Sequence, residues 1–327
     1  MDALSHSAGL GASVRLPKEG SLRIDSTAAY SPSYLYQLFP VGQPPSLGAS
    51  IPSNPEYQIQ ETQSYSYRST VVLAFGSHQG TQVTTSGTFN RTDFQRQALT
   101  PADVETIEAG AKISRALSRS GGISVEYQYR TGEFGLGGLT KEHRLTIGTE
   151  YSPVLSRTRR ATFRFNVSPS TLDVPGLALT PGGEASGAIR RLSGELSVSY
   201  PFRPNWRTTA SYRRSVEYFA VLGQPVFADG ARAELIGLIS RRVDLSASVG
   251  YATAASVLAR NTGTLETYTG EASIRYALKR SLALYSEYLY YFYDQRGQTG
   301  LAPNLPSVFE YHGVRVGVVL FIEALGK

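Results

Sequence analysis

The 327-residue chain contains no cysteine, and only one tryptophan and one methionine. Without cysteine there is no disulfide scaffold and no thiolate zinc site, a composition compatible with an oxidising periplasmic route. Also missing is any run of roughly 18 to 20 consecutive apolar residues, so the chain does not cross a membrane as helices. The first thirty residues, from Met1 through Leu10 and Val14 to Tyr30, lack the basic head and apolar stretch of about 7 to 15 residues of a secretory signal. Such a signal is expected to have been removed or to lie upstream.

What is abundant points the other way. Hydrophobic residues make up 41%, with 32 glycines and 21 tyrosines. That mixture suits strands that are apolar on one face only. A mean hydropathy of -0.19 does not separate soluble from membrane proteins, because a polar lumen gives a wide barrel the same average. The formal charge of +6 is modest and its Lys and Arg are dispersed, which argues against nucleic acid as a partner.

Period-two alternation organises the chain from end to end. Leu192, Gly194, Leu196, Val198 and Tyr200 oppose Arg191, Ser193, Glu195, Ser197 and Ser199, which in a strand are two faces. Ile123, Val125, Tyr127 and Tyr129 oppose Ser124, Glu126, Gln128 and Arg130. Tyr268 to Leu278 and Val314 to Ile322 repeat the pattern. Fifteen such segments begin near residues 8, 21, 63, 81, 105, 122, 142, 161, 189, 206, 231, 243, 265, 281 and 308. Most run for the roughly 9 to 11 residues that span a bilayer as a tilted strand.

The connections alternate between two kinds. Tight polar turns fall at Pro17 to Gly20, Gly76 to Gly80, Ser118 to Gly122, Ser156 to Arg160, Arg203 to Asn205, Ser240 to Arg242 and Lys279 to Arg280. Longer Pro- and Gly-rich links fall at Gln37 to Glu56, Arg91 to Ala102, Thr131 to Thr140, Thr171 to Gly187, Leu222 to Gly230, Arg260 to Gly263 and Asp294 to Pro306. Short periplasmic turns with longer outer loops are the pattern of an outer-membrane barrel. Successive tight turns recur at roughly forty residues, but no motif recurs with them, so two spans plus two connections explain the spacing better than a solenoid or propeller does.

A soluble sheet also alternates, and charge on the apolar parity discriminates. Random placement puts roughly thirteen charges on the outward positions of fifteen strands, each costing up to about 2 to 4 kcal/mol at the midplane. The parity holds about two, Arg115 and Arg214, both toward strand ends where a long side chain reaches the headgroups. A soluble sandwich with so many strands, no helices and no cysteine is unusual. Tyr30, Tyr65, Tyr67, Tyr129, Tyr218, Tyr268, Tyr288 and Tyr290 form one expected aromatic girdle, and Tyr151, Tyr200 and Tyr276 the other; ordinary β-propensity of tyrosine is the alternative explanation. The fold class expected is therefore all-β, an antiparallel transmembrane β-barrel forming a single domain over 1-327.

The last strand, Arg315-Val316-Gly317-Val318-Val319-Leu320-Phe321-Ile322, resembles the C-terminal assembly signal of bacterial outer-membrane barrels, carried on Arg315, Gly317, Leu320 and Ile322, although the chain continues through Glu323 to Lys327. The chain as a whole resembles the β-barrel porins of exopolysaccharide secretion systems. That resemblance implies the outer membrane of a Gram-negative-type bacterium, with membrane lipid, the barrel-assembly machinery and polysaccharide export components as partners. In such barrels both termini face the periplasm, which needs an even strand number. One further N-terminal strand is thus expected upstream, giving sixteen.

The opposite parity is expected to line a water-filled pore with Arg23, Asp25, Arg68, Lys112, Glu126, Arg144, Glu150, Arg164, Arg191, Glu195, Arg207, Arg213, Glu217, Glu234, Glu271, Arg275, Glu287 and Arg315. Bases slightly outnumber acids there, which favours anions or sugar acids; alternatively the charges pair across strands and keep the wall hydrated. His6, His78, His143 and His312 are scattered and form no visible triad, no carboxylate cluster has metal-ligand spacing, and Gly135-Leu136-Gly137-Gly138 precedes a strand rather than a helix, unlike a phosphate loop. Neither enzyme activity nor a cofactor is expected. Two functions remain: a diffusion or export channel, and a non-conducting anchor or receptor that works through its loops. The loop Gln37 to Glu56, stiffened by Pro44, Pro45, Pro52 and Pro55, is long enough to constrict a pore and equally able to project outward.

Overall fold

A computed structural model describes residues 6–17, 19–31, 64–76, 80–94, 103–134, 137–156, 159–175, 186–219, 224–256, 264–279, 282–294 and 307–320. In chain order the strands are β1 (His6–Leu16), β2 (Gly20–Ser31), β3 (Ser64–Gly76), β4 (Thr81–Phe94), β5 (Val104–Ala116), β6 (Gly121–Phe134), β7 (Gly137–Tyr151), β8 (Val154–Ser156), β9 (Arg159–Arg160), β10 (Thr162–Pro175), β11 (Ser186–Arg203), β12 (Trp206–Phe219), β13 (Gln224–Ser240), β14 (Val243–Ser256), β15 (Leu265–Lys279), β16 (Leu282–Asp294) and β17 (Val308–Leu320). All except β8 and β9 form one fifteen-stranded sheet in which each strand pairs with its neighbours in sequence. Every pairing is antiparallel. Short β8 and β9 make a separate hairpin in the β7–β10 turn, tied to the wall by Arg159 Nη1 donating to the Phe202 carbonyl at 2.8 Å.

All fifteen segments read from alternation are strands of this sheet. Two expected links are not loops. The Gly-rich stretch Thr131 to Thr140 is mostly ladder, because Thr131 pairs with Lys141, Gly132 with Thr140 and Phe134 with Gly137 across an irregularity. Within Leu222 to Gly230, β13 is already paired from Gln224, opposite Phe219. In both places the hydrogen-bond ladder outweighs the local turn preference of Gly and Pro. The whole segment Gln37 to Glu56, and His78 in its turn, lie outside the described residues.

The register sorts side chains because directly paired residues share a face. One row runs Arg23, Val72, Ser86, Gly110, Gln128, Arg144, Ser170 and Arg191 from β2 to β11. An adjacent row on the other face runs Leu22, Leu73, Thr85, Ala111, Tyr127 and Leu145. Large apolar side chains on that second face stand free of the protein, such as Val249 at 63% exposure and Val316 at 73%. No ladder joins edge strands β1 and β17 among the described residues.

The polar face is the concave one. Arg130 on β6 donates to the Val216 carbonyl on β12 at 2.5 Å, although β7, β10 and β11 stand between them. Along the wall that gap is four strand spacings of about 4.8 Å, too far for an arginine unless the sheet curls and part of β12 leaves the wall toward the inside.

Candidate functional site: the concave face and an inward hairpin

The eighteen residues expected to line a pore fall on the concave face without exception. They are Arg23 and Asp25 on β2, Arg68 on β3, Lys112 on β5, Glu126 on β6, Arg144 and Glu150 on β7, Arg164 on β10, and Arg191 and Glu195 on β11. Arg207, Arg213 and Glu217 follow on β12, Glu234 on β13, Glu271 and Arg275 on β15, Glu287 on β16 and Arg315 on β17. The same register adds Glu108, Arg130, Glu142, Arg232 and Asp244.

Opposite charges meet across strands. Lys112 pairs with Glu126, Glu150 with Arg164, Glu195 with Arg213 and Asp244 with Arg275. Ion-pair distances are 2.9 Å for Arg164–Glu150 and 2.8 Å for Arg275–Asp244. Each such pair contributes only about 0.2 to 1 kcal/mol, and the set gives a hydrated, nearly neutral wall. Arg68, Arg207 and Arg232 have no acid directly opposite, and Glu234 has no base directly opposite, so the balance of these positions is basic.

At the end of the sheet away from the tight turns the wall changes character. Glu142 is 1% exposed between Arg130 at 2.6 Å and Arg144 at 2.8 Å. The ladder between β11 and β12 stops at Gly194 and Arg214, yet β12 stays paired to β13 as far as Phe219 and Gln224. Likewise β11 stays paired to β10 as far as Ser186 and Pro175. Beyond Arg214 the β12–β13 hairpin has therefore parted from β11, while β13 stays paired to β14 as far as Val226 and Ser256.

It folds inward. Val216 and Leu172 bury each other completely, with Ile189 and Phe227 packed around them. Leu172 and Ile189 belong to the concave face of β10 and β11, whereas Val216 and Phe227 belong to the convex parity of the hairpin. These faces meet only if the hairpin lies inside the wall. The Arg191 guanidinium, also concave, stands 5.6 Å above the Phe227 ring. On the other side of the hairpin Val226 and Ala228 are fully buried, and Ala252, Ala254, Leu265, Tyr291 and Tyr293 continue this apolar lining on concave positions of β14 to β16. A second apolar core thus sits inside the sheet at its loop end.

The convex face carries the expected girdles. At the loop end Tyr30 packs on Tyr65 with centroids 5.2 Å apart, Tyr251 on Tyr268 at 4.8 Å and Tyr290 on His312 at 5.1 Å. At the turn end Tyr151 stacks on Phe163 at 6.4 Å and Phe202 tilts against Trp206 at 6.0 Å. Convex charges are more numerous than the two read from sequence. Arg91, Asp93, Glu105 and Asp229 join Arg214 near the loop end and pair there, Arg91 with Asp93 at 2.7 Å and Arg214 with Asp229 at 3.6 Å. Strands of 14 to 18 residues such as β4, β11 and β13 outrun the roughly 9 to 11 that an apolar band requires, and the surplus carries these charges.

In β17, Arg315 lies opposite Glu287, Gly317 opposite Tyr285 and Leu320 opposite Leu282; Ile322 lies outside the described residues. A Cβ on Gly317 would stand 2.6 Å from the Tyr285 ring, so this glycine makes room for an aromatic neighbour. His143 and His312 lie on the convex face, and their Nδ1 atoms are 2.7 Å from the hydroxyls of Tyr127 and Tyr288. Among the described residues no group of three His, Cys, Asp or Glu is placed to hold a metal ion.

No protein-family profile and no curated protein matches the chain. Solved structures do. The chain is similar to the FrpB iron transporter from Neisseria meningitidis (F5-1 variant), with a TM-score of 0.55 at 8% identity over 96% of this chain and 58% of that one. The apoprotein form of the same transporter gives 0.54 at 7% identity over 95% and 56%. The siderophore receptor PirA from Acinetobacter baumannii gives 0.47 at 10% identity over 97% and 57%. The chain thus spans little more than half the length of each. At such identities the likeness concerns the fold, which is that of an antiparallel transmembrane β-barrel.

Proposed function

We propose that the chain is an outer-membrane barrel of a Gram-negative-type bacterium that forms a passage for hydrophilic solutes, in export or in uptake. The observation that carries this reading is the segregation of faces: every expected pore-lining charge lies on the concave side, while the convex side presents exposed Val, Ile, Leu and Tyr. Transport is also what the FrpB iron transporter is named for. Polysaccharide is the cargo suggested by the resemblance to exopolysaccharide-secretion porins, and the basic excess at Arg68, Arg207 and Arg232 suits acidic sugars. Membrane lipid and the barrel-assembly machinery, with polysaccharide export components, are the proposed partners. The role is non-enzymatic and needs no cofactor.

The test is conductance across a planar bilayer containing the purified, folded protein, followed by a reversal potential in a salt gradient. A passage gives stepwise currents with a mild anion preference. Absence of current from folded, inserted protein overturns the channel.

A second reading is favoured by the inward hairpin, which places a core of Val216, Leu172, Val226 and Tyr291 inside the loop end. A barrel closed there serves as a receptor through its loops without conducting. Currents in the unmodified protein decide against it.

A further inference from the structure

Where the β12–β13 hairpin separates from β11 it opens a cleft between β11 and β12, a cavity of about 580 Å³. Phe165, Leu192, Leu196 and Tyr212, all on convex positions, line it together with Phe227 of the departing hairpin. Gly194 is the last residue of β11 paired to β12. A Cβ there would stand 2.8 Å from the Asn166 carbonyl oxygen, so the floor of the cleft is closely packed backbone.

Three arginines border this apolar cleft, and all lie at its level or nearer the loop end. Arg214 is opposite Gly194, and Arg190 is four residues, about 14 Å of strand, farther toward the loops. Arg191 lies beside Arg190 and over the Phe227 ring. Arg214 shares Asp229 at 3.6 Å and keeps 47% of its side chain exposed. Arg190 is exposed, and among the described residues it makes no ion pair. One further group is unusual: the Ser193 hydroxyl, on a concave position, lines the same cavity, is 4% exposed and has no hydrogen-bond partner among the described residues. A buried hydroxyl left so is costly unless something fills the site.

We infer that this cleft is a lateral binding site for a phosphorylated membrane lipid, with an acyl chain against Phe165, Leu196, Tyr212 and Phe227 and its phosphate between Arg190 and Arg214. The geometry favours this occupant for two reasons. The apolar part of the lining is on convex, membrane-facing positions, where the available apolar ligand is an acyl chain. The cleft's loop end is basic and stands at the headgroup level, where guanidinium forks suit phosphate oxygens, while the one acid of its lining, Glu195, lies toward the turn end on a concave position opposite Arg213. Arg191 and Ser193 supply further donors. The inference rests on the proposed membrane location but not on conduction.

The full chain, folded in a neutral detergent, is analysed by native mass spectrometry after equilibration with equimolar dioleoyl phosphatidic acid and dioleoyl phosphatidylcholine. One phosphatidic acid is expected to remain bound, at least tenfold in excess of phosphatidylcholine. The double variant Arg190→Gln/Arg214→Gln is expected to lose that preference, and Leu192→Trp, which fills the cleft without touching charge, to reduce occupancy of both lipids. Arg119→Gln, in the turn at the opposite end, is the control for general basicity. Three outcomes overturn the site: no preference in the parent chain, an unchanged preference in the double variant, or displacement by millimolar inorganic phosphate as effective as by phosphatidic acid. Flotation with phosphatidylcholine vesicles separates this failure from failure of the membrane reading, since protein that inserts yet shows no preferred lipid refutes the site alone.

Discussion

Replacing Arg130 with Gln tests whether the hairpin is held inside by its latch. Arg130 donates to Glu142 Oε2 from Nε at 3.0 Å and from Nη2 at 2.6 Å, and to the Val216 carbonyl at 2.5 Å. Hydrogen bonds involving charged groups contribute about 1.5 to 3 kcal/mol each in net terms. The apolar contact of Leu172 with Val216 remains in the variant and contributes a similar amount, about 1.5 to 3 kcal/mol per fully buried side chain. The arginine therefore supplies a share of the attachment to β10 and β11 comparable to that of the Leu172–Val216 contact. Losing about 2 kcal/mol shifts an inward-to-outward ratio by about thirtyfold, so a ratio of about 100 becomes about 3.

The readout is single-channel conductance, and the complement is a lock. Because the native chain has no cysteine, Leu172→Cys paired with Val216→Cys introduces the only two thiols, at residues in contact. Arg130→Gln is expected to lengthen open times or add a larger conductance level. Oxidation of the cysteine pair is expected to abolish that level, and reductant to restore it. If Arg130→Gln conducts like the parent and the oxidised pair like the reduced one, the hairpin is a fixed strut and the latch argument is wrong.

Three further outcomes follow from the same geometry. Glu142→Gln removes the acid from between two arginines and leaves them in a nearly closed site, so denaturant unfolding in micelles is expected to show a loss of about 3 to 5 kcal/mol. Val249→Arg, on the exposed convex face near the middle of β14, is expected to cost about 2 to 4 kcal/mol in vesicles, whereas Ser248→Arg on the concave side costs little; equal effects would contradict the assignment of faces. Gly237→Val places a side chain where a Cβ already stands 2.1 Å from the Trp206 ring, and the displaced ring, the sole tryptophan, is expected to report it as a shifted fluorescence maximum.

The wall was legible because period two is a local property. Alternation from Arg191 to Tyr200 fixes which side chains share a face whatever the partner strand, and the turns then fix the register. Gly-rich punctuation is a weaker guide than the ladder. Arg130 and Glu142 flank the stretch Thr131 to Thr140, whose turn-like composition conceals that it is mostly ladder and that this acid and base form the most deeply buried ion pair described. Their signal was nonetheless present, since the polar parity of Glu126 and Gln128 runs on to Arg130 and that of Arg144 runs back to Glu142.

The inward hairpin was not legible by the same route, because it depends on contacts between strands that are not neighbours. Leu172 and Ile189, and with them Val226, Ala228 and Leu265, break the polar parity of their own strands. In a single strand such a residue reads as noise. Placed in register, these exceptions gather at one end of the concave face, and an apolar patch on a wetted wall must either be covered or expose itself to water. The hairpin provides that cover, and its separation from β11 is what opens the cleft between β11 and β12. Apolar exceptions inside a barrel wall therefore locate the place where the chain folds back on itself, and in this chain the inner closure and the lateral opening have one cause.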